Sequence, residues 1–434
     1  MKYLIETWGC QMNSHDSEKL EGLLLNDGHE AAAGLEDADL VLLNTCSIRE
    51  KAVHKVYTRL GCLREEKKRR ALIIGVVGCL AQQEKTLLQR IHHIDFVLGT
   101  MAIQRLPDVL NAVINNGKGV VDTGVYPDSH MFPPEIIQRS ASSAKAMVTI
   151  TEGCNHACTY CIVPTTRGQE RHRPFQDIVK EVRGLVAQGF REVELLGQNV
   201  NSFQGGCSFA ELLDRVAGIE NLEWIRFSTS HPMNFTPSLA KTIVTNTKVA
   251  PFLHLPVQSG SDEILRRMRR GYTVAQYLER LSYLGDGPKD LCVSTDFIVG
   301  FPGETDEHFE STMALLDRVK FDLSFSFIYS PRPGTPAMKL KDDLPYAVKL
   351  ERLNILKVKQ AELTTLSNRR MIGRQVEVRI ETSTAFKSGY WLARTSNWKN
   401  VHIRVLEGYR LPFRHLVSVK IIDASPHFLL AEVV

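Results

Sequence analysis

The chain has 434 residues, of which 43% are hydrophobic and 24% are charged, and its formal net charge is +4. This length exceeds one ordinary domain and predicts about two to four, while the weak positive charge permits a nucleic-acid partner without requiring one. The N-terminus has no signal-peptide pattern and no apolar run is long enough to cross a bilayer, so we expect a cytoplasmic protein with no membrane partner.

Residues 1–118 are predicted to form an N-terminal domain in which strands alternate with helices. Strand-like runs end at Cys10, Cys46 and Cys79, and a helical pattern follows each of them. Such alternation with short loops predicts an α/β domain with a doubly wound parallel sheet. Residues 119–143 are rich in Gly, Pro, Asp and Ser, and we interpret them as a linker.

Residues 144–372 are predicted to form a partial (βα)6 TIM-like barrel, because six strand-like runs alternate with helical patterns. The runs cover 146–150, 192–198, 224–229, 250–257, 293–300 and 323–330. A helix from about Tyr346 to Asn368 is expected after the last of them. Residues 373–434 contain five short strand-like runs at close spacing, which predict a small β-barrel.

Three cysteines follow the first strand of the predicted parallel barrel with the spacing C-x3-C-x2-C, namely Cys154, Cys158 and Cys161. The carboxyl edge of a strand is where barrel enzymes carry their chemistry. Three thiolates can hold an iron–sulfur cluster and leave one iron open, and that iron can chelate S-adenosylmethionine (SAM). A zinc site completed by His156, or a set of buried free cysteines, is the alternative interpretation.

A second set, Cys10, Cys46 and Cys79, closes three predicted strands of the first domain. Because ligands gather outside the carboxyl ends of parallel strands, we expect these cysteines to converge and to leave one open metal position. Three unrelated buried cysteines are the alternative, since Cys is among the most buried residue types. The remaining cysteines match no ligand pattern; they are Cys62, Cys207 and Cys292.

The loop ITEGCNHACTYC, with Tyr160 before the third cysteine, resembles the radical SAM signature. GCQMN, NTCSIREKA and GCLAQ, followed by that loop, closely resemble the radical SAM methylthiotransferases over essentially the whole chain. The resemblance implies a 4Fe–4S cluster on each cysteine set, with the N-terminal cluster carrying the sulfur to be transferred. It also implies that Tyr160 packs beside the SAM adenine, and that the C-terminal barrel is an RNA-binding TRAM domain.

Four further stretches resemble the family members that modify N6-isopentenyladenosine in tRNA; they are LLGQNVNS, HLPVQSGSDEILRRMRRGYT, STDFIVGFPGET and FIYSPRPGTPA. The resemblance implies that one SAM methylates a sulfur and that a second yields a 5′-deoxyadenosyl radical, which attacks C2 of the adenine beside the anticodon. The implied partners are the tRNA anticodon stem-loop, an electron donor such as flavodoxin or ferredoxin, and iron–sulfur assembly or carrier proteins.

Other substrates stay open at this point. Family members also act on threonylcarbamoyl-adenosine in tRNA or on a ribosomal-protein aspartate, and a radical SAM enzyme with some other protein substrate is a further alternative. An alternative of another class is a non-catalytic RNA-binding protein stabilised by zinc or by a structural cluster.

Positions at the ends of barrel strands, or in the turns after them, are the expected SAM contacts; they are Gln198, Asn199, Gln258, Arg270, Gly300 and Glu304. The Arg270 guanidinium could pair with the SAM carboxylate, and Gly300 would let backbone approach the adenine closely. Loop caps or surface ion pairs are the alternatives for these positions.

Basic and aromatic residues are interleaved in the C-terminal barrel. Basic groups can meet phosphates and aromatic rings can stack on unpaired bases, although a solvated face with core aromatics would give the same pattern. The residues are Arg374, Arg379, Lys387, Arg394, Lys399, Arg404, Arg410, Arg414, Lys420, Tyr390, Trp391, Trp398 and Tyr409.

Overall fold

The computed structural model describes the chain except for residues 48–49, 118, 125, 127–131, 141–142, 286, 289, 383–388 and 405–410. The chain divides into two compact units. The first comprises Met1–Ser140, Glu152–His156 and Ile162–Arg171, and the second comprises Ala141–Thr151, Ala157–Cys161 and His172–Val434.

Within the described part of the first unit, six parallel strands form one sheet in the order β2-β1-β3-β4-β5-β6. The strands are β1 (Lys2–Trp8), β2 (Glu30–Ala31), β3 (Leu40–Thr45), β4 (Ile73–Val77), β5 (Phe96–Leu98) and β6 (Val120–Asp122). The helices are α1 (Gln11–Asn26), α2 (Glu50–Arg69), α3 (Cys79–Gln83), α4 (Lys85–Gln89) and α5 (Leu106–Asn116).

The central strand β3 explains why helices cover both faces of this sheet. Its sequence LVLLNT is buried at every position, as expected for a parallel strand between two helical layers. Leu40 and Leu42 face one core cluster, while Val41 and Leu43 face another on the opposite side. The doubly wound parallel sheet predicted for this region is confirmed.

One strand lies inside the segment that the sequence suggested was a linker. Val120–Asp122 forms β6 and pairs in parallel with β5, so this part of residues 119–143 belongs to the sheet. The run is only three residues long and lies close to Gly117 and Gly119, so its alternation is too short to reveal a strand.

The second unit contains the six parallel strands of the partial barrel. They are β7 (Ala146–Thr149), β10 (Glu192–Leu196), β11 (Trp224–Phe227), β12 (Phe252–His254), β13 (Cys292–Val299) and β14 (Leu323–Ile328). They form the sheets β11-β10-β7 and β12-β13-β14, and a parallel bridge between Ile225 and Val249 lies beside β11. Two short strands, β8 (Thr151–Glu152) and β9 (Arg171–His172), pair around the loop that carries Cys154, Cys158 and Cys161.

Helices alternate with these strands, as predicted. They are α6 (Val163–Arg167), α7 (Phe175–Ala187), α8 (Phe209–Ala217), α9 (Pro237–Thr245), α10 (Asp262–Arg267), α11 (Val274–Ser282), α12 (Asp306–Val319) and α13 (Tyr346–Arg369). Val193, Leu195 and Phe297 point from the strands into the core that the helices cover. The opposite face of each strand, which carries residues such as Glu192 and Asp296, therefore faces the interior of the partial barrel.

The C-terminal strands form a closed barrel in the order β15-β16-β17-β19-β18. They are β15 (Gln375–Ile380), β16 (Tyr390–Thr395), β17 (Asn400–Arg404), β18 (Leu416–Ala424) and β19 (Leu429–Val433). Val378, Ala393, Val401 and Ile421 are among the side chains that fill its centre. The predicted small β-barrel is confirmed.

The small barrel packs on the amino ends of the parallel strands. Glu192, the first residue of β10, accepts hydrogen bonds from Arg226 Nε at 2.5 Å and from Arg379 Nε at 2.7 Å. The Trp398 ring stacks on Phe252, the first residue of β12, with 5.1 Å between ring centroids. The cysteine loop begins at the opposite, carboxyl ends of these strands.

Among the described residues, no helix has both the length and the apolar character needed to span a membrane.

Candidate functional site

Cys10, Cys46 and Cys79 meet at the carboxyl edge of the first sheet. Cys46 directly follows β3, Cys79 begins α3 just after β4, and Cys10 lies between β1 and α1. The Cys10 and Cys46 side chains are hydrogen-bonded to each other, and the charges of Cys10 and Cys79 interact. Gly78 permits this approach, because a Cβ there would lie 2.5 Å from Asn44 Oδ1 and its φ of 91° disfavours other residues.

Two buried asparagines order the backbone around these thiols. Asn13 Oδ1 accepts hydrogen bonds from the Cys10 backbone N–H and from Cys10 Sγ, both at 3.4 Å. Asn13 Nδ2 donates to Asn44 Oδ1 at 3.3 Å, and Asn44 Nδ2 donates to the Asn13 carbonyl at 2.8 Å. Neither asparagine was singled out from the sequence, although both lie within the motifs GCQMN and NTC.

The electrostatic surroundings favour a thiolate at Cys10. The hydrogen bond from Cys46 lowers the pKa of Cys10 to about 6, with help from Arg167 and in spite of burial. Burial raises the pKa of Cys79, and Arg167 opposes that rise through its charge and a side-chain hydrogen bond. Arg167 lies at the end of α6 and was missed by sequence reasoning, because nothing local to it points to the first sheet.

The donor set fits an iron–sulfur cluster better than a single metal ion. Among the residues that the structure describes, no three His, Cys, Asp or Glu side chains surround one metal-ion position. A zinc ion needs all its ligands within about 2.3 Å, whereas the thiolates of a cluster ligate different irons and stand further apart. Cys10, Cys46 and Cys79 supply three thiols, the ligand type that iron–sulfur clusters take.

Within the first unit, Cys154 is held by the backbone that returns after the loop. Its N–H donates to the Gly168 carbonyl at 3.2 Å. The preceding Gly153 has φ of 79°, and a Cβ there would lie 2.1 Å from the Gln169 carbonyl oxygen.

Within the second unit, Cys158 and Cys161 form a turn, with the Cys161 N–H donating to the Cys158 carbonyl at 3.1 Å. Thr159 between them is pinned to the end of α10. Its N–H donates to the Met268 carbonyl at 3.0 Å, and its hydroxyl donates to the Arg267 carbonyl at 2.9 Å.

Arg270 contacts a cysteine of this loop directly. It is buried, and its guanidinium donates to Cys158 Sγ and Tyr160 Oη, both at 3.3 Å, to Tyr272 Oη at 3.0 Å and to the Pro256 carbonyl at 2.9 Å. These contacts occupy guanidinium N–H donors that a bidentate hydrogen-bonded pair with the SAM carboxylate would need. Burial raises the pKa of Tyr160 well above its usual range, so its hydroxyl stays protonated.

Asn199 and Gln258 lie at strand ends as predicted. Asn199 Nδ2 donates to Asn234 Oδ1 at 3.0 Å, while its own Oδ1 is buried with no hydrogen-bond partner among the described residues. Such an orphaned acceptor is suited to a ligand N–H. Gln258 has φ of 76° and exchanges backbone hydrogen bonds with Asp296 and Ile298 beside it, while Gln198 is half-buried.

Glu304 is engaged inside the protein. Its Oε1 accepts from the Gly300 N–H at 2.8 Å and from Arg352 Nη1 at 2.7 Å, which closes the turn after β13. Burial raises the pKa of Glu304, against the effect of these donors. Gly300 has φ of 68°, and a Cβ there would lie 2.4 Å from Lys349 Cγ, so the backbone is indeed closely approached, but by a side chain of α13.

Sequence reasoning missed the inward face of β12, β13 and β14. His254 Nδ1 and Ser294 Oγ are 2.8 Å apart, and His254 Nε2 is 3.5 Å from Asp296 Oδ1. Phe325 lies edge-on to His254, and both Phe325 and Phe327 on edge strand β14 are about half exposed, at 47% and 49%. The alternation SFSFI could have revealed that both rings share one face.

Several basic residues expected to meet RNA are used inside the protein. Arg379 is fully buried against Glu192, Arg394 pairs with Glu381 at 2.8 Å, and Arg374 pairs with Asp290 at 2.6 Å. The prediction of phosphate contacts is therefore wrong for Arg379, because its charge is needed in the barrel–barrel contact. Arg404 and Lys420 are exposed; Lys387, Tyr409 and Arg410 lie outside the described residues.

Two family models match the chain. Residues 2–99 match the Uncharacterized protein family UPF0004, and residues 148–316 match the Radical SAM superfamily. The first therefore covers the sheet that carries Cys10, Cys46 and Cys79, and the second covers the loop of Cys154 and most of the partial barrel.

Similar proteins extend over nearly the whole chain. The tRNA-2-methylthio-N(6)-dimethylallyladenosine synthase of Anaeromyxobacter dehalogenans is 44% identical over 95% of this chain and 91% of its own. The protein of that name from Pseudomonas aeruginosa is 43% identical, with 99% and 97% covered. Among solved structures, the radical S-adenosylmethionine methyltransferase TsrM of Kitasatospora setae superposes with a TM-score of 0.56 at 15% identity, over 77% of this chain and 76% of TsrM, a likeness of fold alone.

Proposed function

The chain belongs to the family of tRNA-2-methylthio-N(6)-dimethylallyladenosine synthases, and from that premise we propose which of its residues perform the reaction. It is a radical SAM methylthiotransferase that adds a methylthio group to C2 of N6-isopentenyladenosine next to the tRNA anticodon. Two 4Fe–4S clusters and SAM are its cofactors. The observation that carries the proposal is the meeting of Cys10, Cys46 and Cys79 in a chain that also bears the radical SAM loop.

Each cysteine set is assigned one cluster. Cys154, Cys158 and Cys161 would hold the cluster that binds SAM, and Cys10, Cys46 and Cys79 would hold the second, auxiliary cluster. When bound, these groups would supply the one-electron cleavage of a sulfonium and the sulfur for the new C–S bond. Radical chemistry is required because the adenine C2–H bond is too strong and too weakly acidic for acid–base chemistry.

The protein's own groups prepare these sites. Asn13 and Asn44 fix the backbone around Cys10, and the lowered pKa of Cys10 supports a thiolate before any metal arrives. The orphaned Oδ1 of Asn199 supports its role as an acceptor for SAM. Arg270 holds Cys158 and Tyr160 in place through hydrogen bonds, and it is not assigned a bidentate pair with the SAM carboxylate.

The target base is received on the inward face of β12, β13 and β14. A base must leave its stack to reach the mouth of a barrel, and aromatic rings stack on bases of any sequence. Phe325 and Phe327 provide such rings together with an apolar surface for the dimethylallyl group. His254 and Asp296 provide polar atoms beside them.

The remaining partners follow from the chemistry. Reduction of the SAM-binding cluster requires an electron donor, for which flavodoxin or ferredoxin is proposed, and loading of the clusters requires iron–sulfur assembly or carrier proteins. Because the substrate is a tRNA, the proposed location of the enzyme is the cytoplasm.

Mass spectrometry of tRNA nucleosides tests the substrate. Cells lacking this gene should lose 2-methylthio-N6-isopentenyladenosine and accumulate N6-isopentenyladenosine, and the wild-type gene should restore the product. A variant with Cys10, Cys46 and Cys79 changed to Ala should not restore it. Persistence of the methylthio nucleoside in the deletion strain, or loss of a methylthio group from threonylcarbamoyl-adenosine instead, would overturn the assignment.

A further inference from the structure

Arg167 brings a buried positive charge to the cysteines of the first sheet. It is the last residue of α6, six positions after Cys161, and α6 packs against α3, the helix that begins at Cys79. The charge of Arg167 acts on the thiols of both Cys10 and Cys79. Arg167 Nη2 also donates to Asp16 Oδ2 at 2.6 Å. Only 6% of the Arg167 side chain and 1% of the Asp16 side chain are exposed, so water screens neither charge.

Further charged groups of the same unit extend from this pair. Lys19 Nζ lies 3.5 Å from Asp16 Oδ1 and 3.2 Å from Glu152 Oε1, and Arg171 Nη2 lies 3.0 Å from Glu152 Oε2. Three cations therefore share two carboxylates, which leaves an excess of one positive charge beside the thiols. The excess is permanent at neutral pH, because the guanidinium group does not deprotonate in proteins.

Burying a cation costs desolvation free energy, and a nearby anion offsets that cost. Thiolate-ligated clusters are anionic when reduced, and their reduction potentials depend on nearby charge and on hydrogen bonds to sulfur. A cation at Arg167 stabilises the reduced form more than the oxidised form, because the reduced form carries one more negative charge.

We propose that Arg167 is a positioning residue of the auxiliary cluster, whose fixed charge raises that cluster's reduction potential and whose orientation is set by Asp16. The inference rests on the proposed assignment of Cys10, Cys46 and Cys79 as ligands. Arg139 provides a contrast, since it is equally buried in the same unit but is turned toward Glu18 at 3.2 Å.

The test measures the potential of the auxiliary cluster rather than turnover. In the full-length chain with C154A, C158A and C161A, only the auxiliary cluster should assemble, and its reduction can be followed by electron paramagnetic resonance at fixed pH. Arg167→Gln should make reduction about tenfold less favourable, which corresponds to about 59 mV toward negative potential for one electron. Arg167→Lys should stay near the parent value.

A substitution that removes a negative charge distinguishes an electrostatic effect on the potential from general disruption of the site. Asp16→Asn removes a negative charge beside the same cysteines and should shift the potential toward positive values, which general loosening of the site would not do. Arg139→Gln, the matched control, should leave the potential unchanged. Iron and sulfide analysis of each variant shows how much cluster it carries.

The inference is overturned if Arg167→Gln and Asp16→Asn both keep the parent potential, or shift it in the same direction. If Arg167→Gln fails to hold a cluster, the potential of Asp16→Asn decides: it should lie above that of the parent, while that of Arg167→Lys stays near the parent, and an unshifted or lowered potential in Asp16→Asn overturns the inference. A parent chain that assembles no cluster overturns the ligand assignment as well, whereas intact clusters with unshifted potentials overturn the inference alone.

Discussion

At the scale of single residues, each cysteine set has a buried arginine against one of its members. The charge of Arg167 acts on Cys79, and the guanidinium of Arg270 donates to Cys158 Sγ. Both arginines come from positions distant in sequence from these cysteines, and both also bind a second polar group, Asp16 or Tyr272. The six cysteines could be chosen from the sequence as candidate ligands, because each ends a strand or belongs to a spaced loop. The arginines could not, because their contacts exist only after the helices pack.

The inward aromatic rings give a prediction about the substrate. Phe327→Ala should raise the KM for the prenylated anticodon stem-loop about tenfold, since stacking on one base contributes about 1–3 kcal/mol. Formation of 5′-deoxyadenosine from SAM without RNA should continue, because Phe327 is assigned to the base.

Steady-state kinetics with synthetic stem-loops provide the measurement. Leu366→Ala removes an exposed apolar side chain from α13 and should leave the KM unchanged. An unchanged KM in Phe327→Ala would contradict the assignment of this ring to the base-binding surface.

At the scale of elements, the strands follow directly from residue pattern. The six runs predicted for the parallel barrel and the five predicted for the small barrel each overlap an observed strand. What the pattern could not supply was β6, which is too short to show alternation, and the docking of the two barrels. That docking depends on Glu192, whose carboxylate accepts from arginines 34 and 187 residues away.

Glu192 gives a prediction about stability. Burial opposes its ionisation, but Arg226 and Arg379 outweigh burial and lower the pKa of Glu192. Its contribution is therefore complete above the pH at which an unfolded glutamate titrates, near 4.5, and is lost as pH falls through the lower folded value. At neutral pH, Glu192→Gln should reduce the free energy of unfolding by about 3–5 kcal/mol.

Urea denaturation followed by circular dichroism measures this change. Glu223→Gln makes the same chemical change at the rim of the network, where the side chain is 39% exposed, and should cost less than about 1 kcal/mol. The gap between wild type and Glu192→Gln should narrow as the pH approaches 4. Equal destabilisation by both variants would contradict the central role of Glu192.

At the scale of whole domains, the cysteine loop and the small barrel lie at opposite ends of the parallel strands in the second unit. In the second unit, Cys158 and Cys161 follow β7 at its carboxyl side, while Trp398 and Arg379 pack at the amino ends. Arg404 and Lys420, two exposed basic residues of the small barrel, therefore belong to the part of the unit that packs at the amino ends of these strands.

Separate cysteine sets predict separable activities. With Cys10, Cys46 and Cys79 changed to Ala, the chain should bind about four irons instead of about eight. It should still form 5′-deoxyadenosine from SAM on reduction but transfer no methylthio group. Changing Cys154, Cys158 and Cys161 should also halve the iron content and should abolish both reactions.

Iron analysis and product chromatography measure these outcomes. The control removes Cys62 and Cys207, which match no ligand pattern, and should keep the full iron content and both activities. Loss of all iron from either triple variant would show that the two sets do not hold independent clusters.

The first unit is discontinuous in the chain, since it takes Glu152–His156 and Ile162–Arg171 from beyond residues 1–140. On the ribosome, all three cysteines of its sheet emerge well before Glu152 and Arg167. At about 5–20 residues per second, this delay lasts seconds. The charged groups of Glu152 and Arg167 can therefore take their places in the first unit only after residues 152–171 have been synthesised. A fragment that ends at Ser140 would carry the three cysteines without Glu152 and Arg167, whereas a fragment that ends after Arg171 would contain every segment of the unit.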